Sequence, residues 1–288
     1  MTNDLIARVR RFNRTVTSEV GALDMSFLGR GRPLGAARVL NAIGHGRGDV
    51  AEIRAYLGLD SGLMSRLLRG LEQEGLVETL PAADDARRRV ARLTEAGERE
   101  YRAYETLSDA QAAAMLARHP HPEALIAAMD VVAVALGHAR IVLEEVHPRD
   151  AVARYCLGEY YAELGRRFPG GFDVSLSRDP DAEEMVRPRG VFLLALLDGL
   201  PLGCVGLKGG TGEVKRLWVA PAARGFGLSK RLMRAIEDAA RGLAIPCLRL
   251  DTNSALPEAV QLYRRTGWTE IPRFNDDPYP DTFFEKRL

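Results

Sequence analysis

A chain of 288 residues with 46% hydrophobic and 27% charged residues has ordinary globular composition, and its length suits two domains rather than one. The formal net charge is +1, and a split at Gly137 leaves 0 before it and +1 after it. That balance excludes a basic or acidic tail, so any nucleic-acid contact has to come from a local patch. Residues 1–14 are polar and charged, with no signal-peptide core, and the longest uninterrupted apolar run, 191–197, is too short to span a bilayer. Cys156, Cys204 and Cys247 lie far apart. These features predict a cytoplasmic protein with reduced, buried thiols, no metal site and no membrane association.

The first part of the chain, up to residue 137, reads as helical apart from one hairpin. Leu5, Val9, Phe12 and Val16 recur on one face of an N-terminal helix, and 36–43 predicts a second. Asp49 is placed to cap a helix over 50–57 that Gly58 ends. Asp60 or Ser61 caps the next, over 62–74, which Gly75 ends; Leu63, Leu67 and Leu71 are expected to face its core. Two short strands, 76–80 and 89–93, flank a loop that holds Asp84, Asp85, Arg87 and Arg88. Thr94 then caps a long helix over 95–117, which His119-Pro120-His121-Pro122 breaks, and a last helix covers 123–136.

From Arg140 the pattern changes. A strand over 140–146 leads to a helix capped by Asp150 and running to Leu164. Strands are expected at 191–197, 202–207, 213–219, 247–250 and 282–287, with hairpin turns at Asp198-Gly199 and Gly209-Gly210. An amphipathic helix over 229–241 follows the strand 213–219, and another carries Leu262-Tyr263-Arg264-Arg265-Thr266-Gly267-Trp268.

A helix, a glycine-containing turn, a second helix and a basic hairpin describe a winged helix-turn-helix. Ser61, Ser65, Arg66 and Arg69 fall on faces of the second helix from which Ser and Arg reach base edges and phosphates in a major groove. Arg87, Arg88 and Arg89, with Arg92 nearby, suit phosphate or minor-groove contact. Asp85-x-Arg87 followed by Leu93-Thr94-x-x-Gly97 is similar to the wing signature of the MarR family of bacterial regulators. The resemblance covers about residues 1–137. It implies binding to double-stranded DNA, a homodimer built on the flanking helices, and a bracing role for Asp85 toward the wing arginines.

The junction Arg224-Gly225-Phe226-Gly227-Leu228-Ser229 lies between a strand and a helix, where small residues leave orphan amides and the positive dipole end free for phosphate oxygens. In the order strand, Pro221, Arg-Gly-x-Gly-x-Ser, helix, strand, helix, it resembles the coenzyme A-binding core of GNAT N-acetyltransferases. The resemblance spans roughly the second half, 138–288. It implies an α+β acyl-CoA N-acyltransferase fold with a mixed, mostly antiparallel sheet, acetyl-CoA as donor and an amine as acceptor.

It also implies roles for particular residues. The backbone of Leu217, Trp218 and Val219 would face the donor arm, and Leu217 N–H would steady the developing oxyanion. Asn253 would touch that arm, Glu213 would act as general base or stand as an exposed strand-end carboxylate, and Tyr263 would donate a proton to the leaving thiolate. Tyr155, Tyr160, Tyr161 and Phe168 are candidates for an acceptor wall, and 274–280 for a lid bearing carboxylates. The chain thus reads as a MarR-like winged helix fused to an acetyltransferase; the alternative is a regulator whose second domain only senses acetyl-CoA or an amine.

Overall fold

The computed structural model describes residues 3–85, 87–176 and 182–288; Ala86, part of the expected wing loop, lies outside them. The chain divides into two compact units, 1–122 and 123–288.

The first unit contains α1 (Asn3–Glu19), α2 (Leu34–Gly44), α3 (Val50–Leu57), α4 (Ser61–Gln73), the antiparallel strands β1 (Val77–Pro81) and β2 (Arg89–Leu93), and α5 (Glu95–Ala117). Its helix ends follow the capping residues. Asp49 Oδ1 accepts from the amides of Ala51 and Glu52, and Asp60 Oδ1 from that of Leu63. Gly58 closes α3 in the left-handed conformation. Thr94 Oγ1 accepts from Gly97 N–H at 3.0 Å and donates to Gly75 O at 2.6 Å. Gly97 is required by close approach, since a Cβ there would lie 1.9 Å from the carbonyl oxygen of Leu76. This contact gives the Thr94-x-x-Gly97 pattern its physical basis: α5 starts against the entry to β1.

The core of this unit gathers Val39, Leu40, Ile53, Met64, Leu68, Leu71 and Tyr104. The buried stripe of α4 is therefore Met64, Leu68 and Leu71; Leu67 is partly buried beside it and Leu63 is half-buried. The expected stripe, Leu63, Leu67 and Leu71, was rotated by about one position, because Met and Leu carry equal apolar weight in the sequence pattern. α1 leaves Leu5, Ile6, Val9, Phe12 and Val16 exposed, an apolar row with no cover within its own unit.

The second unit holds α6 (Pro122–Gly137), β3 (Val142–Glu145), α7 (Ala151–Arg167), β4 (Gly190–Leu197), β5 (Leu200–Lys208), β6 (Glu213–Val219), α8 (Leu228–Gly242), β7 (Cys247–Thr252), α9 (Pro257–Arg265), β8 (Thr269–Ile271) and β9 (Thr282–Arg287). α6 was expected to close the first domain, but the division falls after Pro122, and Val134 of α6 is buried in the core of this unit. The segment Pro122–Arg140 is also the one described helix whose length and composition would suit a membrane span; an 18-residue window in it has mean hydropathy 1.4, and 11% of that window is buried.

The sheet runs β3-β4-β5-β6-β7-β9-β8 and is antiparallel except for the β6–β7 pair. It is covered on both sides, and β4 shows why its sequence is apolar throughout. Val191, Leu193, Ala195 and Leu197 join the core under α8, while Phe192, Leu194 and Leu196 face the cluster with Cys156 and Leu157 of α7. Asp198 and Gly199 both take positive φ, 50° and 85°, as a two-residue hairpin demands. Asp150 precedes α7 as expected but makes no side-chain cap. Cys156 and Cys204 are fully buried; burial pushes the Cys204 thiol well up, and its Sγ donates to Arg216 O at 3.3 Å.

Candidate functional sites

In the second unit the site arises where β6 and β7 part. Their parallel ladder is limited to Glu213 with Arg249 and Val214 with Leu250. Arg216 takes φ 62° and the β5–β6 register shifts beside it, a bulge that turns the end of β6 away. Two cavities open at this split. One is a cleft of about 260 Å³ lined by Leu217, Trp218, Val219, Arg224, Gly225, Gly227, Leu228 and Ser229, with Glu163 and Arg167 of α7 and Glu258 of α9 opposite. The other is a chamber of about 70 Å³ whose wall includes Lys215, Arg216, Asp251, Asn253, Tyr263 and the rings of Phe168, Phe172 and Tyr279. Tyr160, Leu164, Leu217, Leu256 and Ala259 border both, so the two spaces share a wall.

The glycine turn fits an anionic ligand by its backbone. Gly225 and Gly227 have φ of 87° and 77°, and a Cβ on either would meet nothing within 4 Å, so a side chain there would enter the cleft. Gly227 stands at the N-cap of the 15-residue α8 with no side chain capping it, which leaves the first-turn amides to the cleft. Phe226 departs from the expectation: it does not line the cleft, and its ring stacks on His138 at 5.4 Å.

Charges in the cleft are paired. Arg224 Nη2 lies 2.5 Å from Glu163 Oε2, which also accepts from Trp218 Nε1 at 3.1 Å. Arg167 holds Glu258 through both of its terminal nitrogens and donates to Ala255 O at 2.9 Å. These bonds run from α7 to the glycine turn and to the start of α9, across the cleft. Sequence reasoning missed Glu163, Arg167 and Glu258. The signal was present in the spacing of Tyr160, Glu163, Leu164 and Arg167, which places four cleft residues on one helical face.

Tyr263 is buried, and burial pushes its phenol above the ordinary range, so it stays protonated as a proton donor must. It lines the chamber and not the cleft. Asn253 also lines the chamber, but its amide is occupied: Nδ2 donates to Tyr279 O at 2.6 Å and Oδ1 accepts from Ala255 N–H at 2.8 Å. Glu213 is 3% exposed, which removes its reading as an exposed strand-end carboxylate, and it lies outside the lining of both cavities. Of the expected acceptor wall, Tyr160 and Phe168 line the chamber. Tyr161 stacks on Phe172 at 5.8 Å, and Tyr155 is exposed and lines neither cavity. From the 274–280 segment, Asp277, Tyr279 and Pro280 reach the chamber.

In the first unit, Ser61, Arg66 and Arg69 are exposed on α4 and Ser65 is half-buried. The wing arginines are not equivalent. Arg88 is bound to Asp49 at 3.0 Å and Asp84 at 3.1 Å, which fastens the wing to the cap of α3. Arg89 lies 3.6 Å from Glu72 of α4. Arg87 is exposed with no ion pair among the described residues. Asp85 does not brace an arginine side chain; its Oδ1 accepts from the backbone N–H of Arg87 at 2.9 Å, and Asp49 and Asp84 do the bracing.

Comparison with known proteins gives two matches along the chain. The family model of the acetyltransferase (GNAT) family covers residues 157–268, and that of the MarR family covers residues 30–88. An IAA acetyltransferase of Azospirillum brasilense is 37% identical over 116 residues, 38% of this chain and 74% of that protein. An uncharacterized N-acetyltransferase of Schizosaccharomyces pombe is 34% identical over 102 residues, 34% of this chain and 63% of that protein. Among solved structures, a GNAT-family acetyltransferase from Staphylococcus aureus aligns with TM-score 0.45 and 19% identity, over 51% of this chain and 99% of its own. The PcaV transcriptional regulator from Streptomyces coelicolor aligns with TM-score 0.38 and 20% identity, over 49% of this chain and 98% of its own. With the glycine turn opening α8 and a helix-turn-helix ahead of a wing, the chain belongs to the GNAT acetyltransferase family through its second unit and carries a MarR-family domain in its first.

Proposed function

We propose that the second unit transfers the acetyl group of acetyl-CoA to an amine, and that the first unit binds double-stranded DNA as a homodimer. The observation that supports acetyl transfer is the shared wall between a glycine-edged cleft and an aromatic chamber, with protonated Tyr263 in the chamber. A donor held on the amides of 225–229 would extend along Leu217 toward the chamber, where the acceptor nitrogen arrives. The donor supplies the thioester carbonyl; the chain's own residues orient it, offer Leu217 N–H to the carbonyl oxygen and give the departing sulfur a proton from Tyr263. Exposed Arg66 and Arg69 on α4, and Arg87 in the wing, supply the DNA-facing charge, and the bare apolar row of α1 supplies a surface for a second copy.

Thiol release from acetyl-CoA with a panel of small amines tests the catalytic reading. Tyr263→Phe is expected to lower kcat by about a hundredfold while leaving donor affinity within a few-fold, since it removes one proton donor. Donor binding without thiol release across the panel would favour a sensing domain instead.

A further inference from the structure

The chamber contains a buried ion network that neither the glycine turn nor Tyr263 explains. Lys215 Nζ lies 2.6 Å from Asp251 Oδ2 and 3.8 Å from Glu213 Oε2. The three side chains are 9%, 6% and 4% exposed in that order, so each is more than nine-tenths buried. Asn275, itself buried, donates from Nδ2 to the same Asp251 Oδ2 at 2.6 Å. Oδ2 thus has two donors, whereas Oδ1 receives none among the described residues. Asp251 and Lys215 line the chamber; Glu213 does not.

What faces Asp251 is aromatic. Phe172 and Tyr279 stand with ring centroids 4.6 Å apart, and Phe168 stacks on Tyr279 at 6.0 Å. Burial pushes the phenols of Tyr160 and Tyr263 up, and the Asp251 charge adds to this at both, while at Tyr160 the Arg216 charge opposes it more strongly. Arg216, set over the Tyr161 ring at 5.1 Å, and Asp277 complete the charged lining. A carboxylate fixed at one oxygen by an ammonium and an amide presents its other oxygen in a defined direction. Rings beside it favour a cation carried on a flat apolar group.

We propose that Asp251, rather than Glu213, receives the acceptor nitrogen and takes its proton, and that the acceptor is a primary amine on a flat apolar body. This rests on the acetyl-transfer reading. The acceptor docks as its ammonium and releases one proton to solvent; the lone pair of the resulting neutral amine forms the C–N bond, and the C–S bond breaks with its pair leaving on sulfur. The nitrogen, made acidic by the new bond, passes a proton to Asp251 Oδ1, and Tyr263 gives one to the sulfur. Exchange with solvent returns both residues to their starting states. Lys215 and Asn275 are positioning residues, since they hold Oδ2 and leave Oδ1 without a donor among the described residues. Glu213 acts through Lys215.

The test uses the full chain with 2-phenylethylamine, 2-phenylethanol and n-butylamine as probes, in calorimetric binding and in thiol release. Asp251→Asn is expected to weaken 2-phenylethylamine binding at least about tenfold and to lower kcat by about a hundredfold. Donor affinity should stay within about twofold, which also reports an intact fold, and Glu213→Gln, acting only through Lys215, should cost at least about tenfold less in kcat than Asp251→Asn. In the wild-type chain, independent of any variant, the alcohol and n-butylamine should each bind at least about tenfold more weakly than 2-phenylethylamine. A folded Asp251→Asn chain with unchanged amine affinity and turnover overturns the proposal while acetyl transfer stands. So does equal binding of amine and alcohol, or equal binding of the two amines. A wild-type chain that binds acetyl-CoA but acetylates no amine in a broad panel overturns the acetyl-transfer reading itself.

Discussion

Gly227→Glu separates the two contributions that the glycine turn makes, backbone shape and open space. The residue takes φ 77° at the head of α8, where any L side chain costs about 1–2 kcal/mol of backbone strain. Gly227→Ala would carry that strain alone. Its Cβ meets no atom within 4 Å, so no packing penalty adds to it. Glutamate carries the same strain, partly offset by about 0.3–1 kcal/mol from a negative charge beside a helix N-terminus. Both variants should therefore fold.

They should differ in donor binding. A glutamate carboxylate placed ~5 Å from one phosphate charge, at an effective dielectric of ~20, costs about 3 kcal/mol, on the order of a hundredfold in affinity. Calorimetric titration of acetyl-CoA should show a modest loss for Ala and a loss of that size for Glu. The gap should shrink as salt is raised, and thermal unfolding should show both variants folded. If Glu and Ala bind the donor equally well, the diphosphate does not lie on the amides of this turn.

The proposed DNA contacts divide by how each arginine is held. Arg87→Ala should weaken binding to all duplexes and reduce the slope of log affinity against log salt by about 1, whereas Arg66→Ala or Arg69→Ala should change sequence preference at about 1–3 kcal/mol; a binding selection across salt concentrations distinguishes them, and no duplex bound at low salt would refute the assignment. In the first unit, Arg30 and Arg32 grip Glu100, and the hydrogen bond from Arg30 holds its carboxyl below the usual range. The group therefore favours the folded state above its unfolded pKa of about 4.3, and that stability is lost as pH falls through its lower folded value. Glu100→Gln should cost about 1–3 kcal/mol at pH 7, and its melting temperature should converge with that of the wild type on acidification; a pH-independent difference would refute the ion-pair explanation.

The order of elements was legible because the punctuation is local. Asp49, Asp60, Thr94, Gly58 and Asp198-Gly199 each act on neighbours within a few residues, so their effect can be read without the fold. β8 escaped because it has only three residues, two exposed and one half-buried, too few to carry a period. The glycine turn was legible for the same local reason. The chamber was not. Asp251, Lys215, Asn275 and Glu213 come from β7, β6 and the 272–281 segment, and what joins them is the parting of two parallel strands, which no spacing records. Arg88 shows the converse: three consecutive arginines look alike in sequence, and only the distant Asp49 and Glu72 distinguish the tied Arg88 and Arg89 from Arg87.

The ionic strap across the cleft governs how a donor arrives. Arg224 and Arg167 are already committed to Glu163 and Glu258, so on the proposed reading an incoming diphosphate would meet spent charges and would bind by exchange of partners. Each pair joins a partner open to water to one that is largely buried: Glu258 at 56% with Arg167 at 26%, and Arg224 at 42% with Glu163 at 15%. Added salt loosens the strap at the same time as it screens the donor, and the two effects oppose each other in the association rate. Capture of the donor should thus depend less steeply on ionic strength than capture by two free arginines would, and that tolerance is written into the charge pairing of α7.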